Sequence, residues 1–94
     1  MPRYVVERVW DDLDEEQMKG VGFRSNRVKA ESFPDITWEH SHVVTDESGA
    51  IKTFCIYQAP NPDMIREHAR LLGDHHIDNI YEIGGDITPG DFPI

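Results

Sequence analysis

The sequence predicts an α+β fold, a ferredoxin-like βαββαβ sandwich with two helices on one face of an antiparallel four-stranded sheet. Three observations predict it. Segments rich in β-branched and aromatic residues recur at 3–9, 37–46, 51–59 and 77–83. Two segments with helix-capping chemistry separate the first strand from the second and the third from the fourth. The middle strands are joined by a short turn, Asp46-Glu47-Ser48-Gly49-Ala50, so they form an antiparallel hairpin. The expected spatial order of such a sheet is 4-1-3-2.

In chain order, Tyr4, Val5, Val6 and Val9 are strand formers and mark the first strand. Asp14 then stands three residues before Gln17, a capping-box spacing, and Leu13 and Met18 can staple across it. Glu15 and Glu16 fall in the first turn, where the helix dipole favours negative charge. Met18, Val21, Ser25 and Val28 recur at helical spacing, and Pro34 stops the helix near Ala30 or Glu31. Asn61-Pro62 opens a second helix whose inner stripe is Ile65, His68, Ala69 and Leu72. Gly73 is its natural stop. Gly84-Gly85 breaks the fourth strand. Residues 1–87 thus read as one domain, and 88–94, TPGDFPI, as an irregular tail.

Both sheet faces carry apolar residues. Val6, Phe54 and Ile56 occupy some positions, and Val5, Val9, Tyr57 and Tyr81 others. The two helices cover one face only, so the other needs a second cover. A homodimer stacked sheet against sheet, a dimeric α/β barrel, is expected. A chain of 94 residues also buries a small fraction of its surface and gains from such burial.

Nine Lys and Arg against eighteen Asp and Glu give a net charge of −9 with histidines neutral. That field repels phosphate backbones and anionic membranes and attracts cations. No nucleic-acid or membrane partner is expected. The acidic run Asp11-Asp12-Asp14-Glu15-Glu16 lacks the layout of an EF-hand loop and reads as a solvated helix start. Cys55 is the single cysteine, which fits a reducing compartment. The opening MPRYVVERVW has no apolar secretory core. A cytoplasmic protein is expected.

The segment WEHSHVV carries the first candidate chemistry. Simple alternation places Trp38, His40, His42 and Val44 on one side of the strand, and Glu39, Ser41 and Val43 on the other. His40 and His42 would stand roughly 6.6 Å apart along it. Two such imidazoles can converge on one ion, with Trp38 as a shield; a polar edge strand with incidental histidines is the plainer reading. Imidazole suits nickel, copper, zinc and iron alike. Glu7, in the first strand, is costly to bury unless paired or bound to a cation. Its alternative partners are Arg24 or the Arg8 of another subunit. If the hairpin pairs His42 with Cys55, then His40 faces Tyr57 and all four share a face; a slip of one residue separates them. Cys55 reads first as a small buried hydrophobe and second as a soft ligand. His68 lies in the apolar stripe and reads as a core histidine with satisfied nitrogens. His75-His76 reads as a surface loop. No nucleophile elbow, Ser-His-Asp spacing or Gly-rich phosphate cradle is present.

The strings MPRYVVER, RSN, W.HSHV, CIYQAPN, IREHARLLG and I..IYEI together resemble a family of small bacterial ferredoxin-like proteins typified by a nickel-binding member. The resemblance runs to about Ile83 and is most specific in C.Y.AP followed by IREHA. It implies a dimeric ferredoxin-like fold and binding of nickel or a similar divalent ion, and IREHA brings His68 into the functional set. The expectation is therefore a nickel-binding protein for sequestration or delivery. Its metal ligands are Glu7, His40, His42 and His68, with Cys55 and Tyr57 as near neighbours. The rival is a small dimeric α/β-barrel enzyme holding an organic substrate between sheet and helices, with His68 and Tyr57 as acid–base groups.

Overall fold

The structure, a computed structural model, describes residues 1–10, 14–73 and 75–94. The proposed Leu13 staple, Asp11, Asp12 and Asp74 lie outside the described residues. The elements are β1 (Arg3–Trp10), α1 (Glu15–Ser32), β2 (Thr37–Thr45), β3 (Ile51–Gln58), α2 (Pro62–Leu72) and β4 (His75–Ile83). The sheet runs β2-β3-β1-β4, with every neighbouring pair antiparallel. This is the expected α+β, ferredoxin-like topology.

Local chemistry sets the element ends. Gln17 N–H donates to Asp14 Oδ1 at 2.8 Å, and Asp14 N–H donates to Gln17 Oε1 at 2.9 Å. That reciprocal box starts α1. Asn61 Oδ1 accepts from Met64 N–H at 2.9 Å and starts α2. Gly73 ends α2 at φ 74, a left-handed conformation that suits glycine. In the β2–β3 turn, Asp46 Oδ1 accepts from Ser48 N–H, Ser48 Oγ and Ala50 N–H. Those bonds hold the Asp46 carboxyl below its usual range, with Ser48 the largest cause.

Two expectations about element bounds change. His75 and His76 open β4 instead of lying in a loop, because they pair with Trp10 and Val9 of β1. The tail contains one 3-10 turn, Pro89–Asp91, closed by Asp91 accepting from Thr88 N–H.

Along β1, burial alternates strictly: Tyr4, Val6, Arg8 and Trp10 are buried, and Val5, Glu7 and Val9 only half-buried. On β3 the buried set is Thr53, Cys55 and Tyr57. These residues form the helix-covered face and pack with Ile36, Ile65, Val21 and Leu72. The open face carries Val5, Val9, Phe54, Ile56 and Tyr81. This corrects the expected face assignment: Val6 belongs to the covered core and not with Phe54 and Ile56, and Tyr57 belongs there too and not with Val5, Val9 and Tyr81.

Candidate functional site

His40 and His42 project from β2 on the open face, their ring centroids 5.2 Å apart and nearly perpendicular. A bulge puts them there. Trp38 pairs with Tyr57, but His40 pairs with Ile56, so Glu39 is the extra residue. Alternation fails at that point. Trp38 packs on the covered core and donates its indole N–H to Ser41 Oγ at 2.9 Å. Trp38 does not share a face with the histidines and cannot shield them.

The hairpin closes with Thr45 opposite Ile51, which sets His42 opposite Phe54 and His40 opposite Ile56. Cys55 and Tyr57 lie on the other side of the sheet. They are not neighbours of His40 and His42, because the register is one residue away from the one that would gather all four.

Glu7 is on the open face in the same cross-strand row as Phe54 and His42. Two strand spacings, about 9–10 Å, separate Glu7 from His42. Glu7 is engaged locally: Asn79 Nδ2 and Lys52 Nζ each donate to it at 3.1 Å. Those bonds, Asn79 first, hold its carboxyl below the ordinary range. Within the chain, Lys52 is thus a cationic partner of Glu7.

His68 is 1% exposed and sits in the interior on α2. Its Nε2 lies 3.3 Å from the Ser25 carbonyl and 3.4 Å from Ser25 Oγ, while Nδ1 has no partner among the described residues. Phe33 and Tyr57 meet the ring edge-on. Burial, then the nearby Arg8 charge, lowers its pKa. Burial likewise pushes the Tyr57 phenol up. The sheet stands between His68 and the His40–His42 pair, so the four expected ligands do not meet at one ion within a chain. Among the described residues, no group of three or more His, Cys, Asp or Glu is arranged to hold a metal ion.

Sequence reasoning missed Glu39 and Arg8. The bulge brings Glu39 to the open face beside His40, where it accepts from Arg3 Nε at 2.9 Å and Gln58 Nε2 at 3.2 Å. Arg3 is the main cause of its lowered pKa, and His40 adds to it. No glycine or proline announces that bulge. Arg8 could have been found: it shares the parity of Tyr4, Val6 and Trp10. It is buried, with Nη1 3.3 Å from His75 Nε2 and its guanidinium carbon 5.2 Å from the Tyr57 ring centroid. His75 donates from Nδ1 to the Gly73 carbonyl at 2.7 Å and stacks on Trp10. Desolvation is the main reason its pKa drops to about 4.

No described helix is long and apolar enough to cross a membrane. No curated protein matches the chain. A family profile described as nickel responsive protein SCO4226-like matches residues 4–83, from the second residue of β1 to the end of β4. With both hairpin histidines, both helices and all of the sheet but Arg3 inside that match, the chain belongs to the SCO4226-like family of nickel-responsive proteins.

Proposed function

We propose that this protein binds nickel as cargo, for sequestration or delivery, and that His40 and His42 are its first ligands. The observation that carries the reading is the exposed, edge-on imidazole pair on the open face. Membership of a nickel-responsive family supports a metal-related role. Imidazole nitrogens are suitable donors for a divalent ion of this kind. Glu39, the neighbour of His40 in the chain, would have to leave Arg3 and Gln58 to join them. In this reading Glu7 serves Lys52 and Asn79, and His68 serves the core.

A second copy stacked on the open face would cover Val5, Phe54, Ile56 and Tyr81 and would bring further donors towards β2. That homodimer is part of the proposal. The buried free thiol of Cys55 suits the reducing cytoplasm.

Calorimetric titration of untagged protein with nickel tests the reading. The double change His40→Ala with His42→Ala should weaken binding at least about tenfold, or about 1.4 kcal/mol. Unchanged affinity in a folded double variant would place the metal elsewhere.

A further inference from the structure

Between α1 and the covered face of β2 and β3 lies a cavity of about 410 Å3. Small-molecule sites span roughly 300–1,000 Å3. The space exists because α1 packs on α2 and does not bring its backbone close to the sheet. Along α1 the lining is Met18 and Lys19, then the smaller Val21, Gly22 and Ser25. Trp10, Trp38, Cys55 and Leu72 supply apolar walls. Val43, 57% exposed, stands at the rim.

Two wall residues are charged, Lys19, which is exposed, and Arg8, which is buried. Arg8 is 1% exposed, and its Nε and Nη2 have no hydrogen-bond partner among the described residues. Among the described residues no carboxylate pairs with it. Its contacts are the neutral His75 ring and the face of Tyr57, neither of which cancels a full positive charge. A buried guanidinium without a counter-ion is strongly unfavourable, and an anion relieves that. The walls select the anion further. An inorganic ion would gain nothing from the tryptophans, whereas an apolar body would.

We propose that this cavity binds a small monocarboxylate with an aromatic or alkyl body, its carboxylate neutralising Arg8 and its body lying against Trp10, Val21 and Trp38. The site is independent of the nickel reading, since His40 and His42 are across the sheet.

Both tryptophans of the chain line the cavity, so their fluorescence reports on its contents. The full chain is titrated at neutral pH with phenylacetate, octanoate, acetate and phenylacetamide. Phenylacetate should bind at least about tenfold more tightly than its uncharged amide. Arg8→Met should erase that preference without lowering the melting temperature, because it removes an uncompensated charge. Gly22→Leu keeps the proposal testable if Arg8→Met does not fold. A Cβ at Gly22 meets nothing within 4 Å, and leucine favours helix, so the side chain should fill the cavity and abolish binding in a stable protein. Several results would overturn the proposal: no response to phenylacetate or octanoate, equal binding of acid and amide, acetate binding as tightly as phenylacetate, or full binding by Gly22→Leu.

Discussion

Mild acid should destabilise this protein through its neutral histidines before its carboxylates titrate. His75 donates to the Gly73 carbonyl, accepts from Arg8 and stacks on Trp10, and its pKa falls to about 4 from an ordinary 6.5. The folded state therefore resists a proton that the unfolded chain accepts. A depressed folded pKa makes a stabilising contribution that is complete above the unfolded value and is lost as pH falls towards the folded one. Here the window runs from about pH 6.5 down to about pH 4. A ring with that full shift would lose about 1.8 kcal/mol between pH 7 and pH 5. Solvent reaches part of His75, so about 1 kcal/mol is the expected share. His68, also shifted down, adds in the same direction. Glu7, Glu39 and Glu67 have lowered pKa values too, but their contribution is lost only below about 4.5. Urea denaturation at pH 7 and pH 5, at fixed protein concentration, isolates the histidines. His75→Phe keeps the stacking on Trp10 and removes the titration, so its acid loss should be smaller by about 1 kcal/mol than that of the parent. Equal losses in parent and variant would refute the assignment of a neutral, proton-resisting His75.

Two further outcomes are expected. His68→Ala should cost about 2–3 kcal/mol of stability in urea, through the cavity it leaves and the lost contact with Ser25; nickel affinity of the folded variant should be unchanged, and a tenfold loss would return His68 to the ligand set. Sedimentation at micromolar concentration should give about twice the 10.8 kDa chain mass; a clean monomer would remove the sheet-stacked dimer and leave the open face without its proposed cover.

Much of the fold was legible before any coordinates, because its signals are local. A capping box needs only Asp14 and Gln17, and an N-cap only Asn61 beside Pro62. Helical spacing named the inner stripe Ile65, His68, Ala69 and Leu72, and all four are buried. Strand parity and the short hairpin led to the antiparallel sheet and its order. The candidate site was less legible, since it depends on which face each side chain takes. A single inserted residue at Glu39 reverses parity between Trp38 and His40, and no turn-forming residue marks it. A one-residue difference in hairpin register moved Cys55 and Tyr57 away from His40 and His42 and towards His68. Residue types alone therefore indicated imidazoles on a strand and a histidine in a core. Only the tertiary structure decided that the sheet separates them, that Lys52 answers Glu7, and that Arg8 is buried with no carboxylate partner among the described residues. Those outcomes turn on contacts between residues as far apart as Arg8 and His75, which local propensity does not encode.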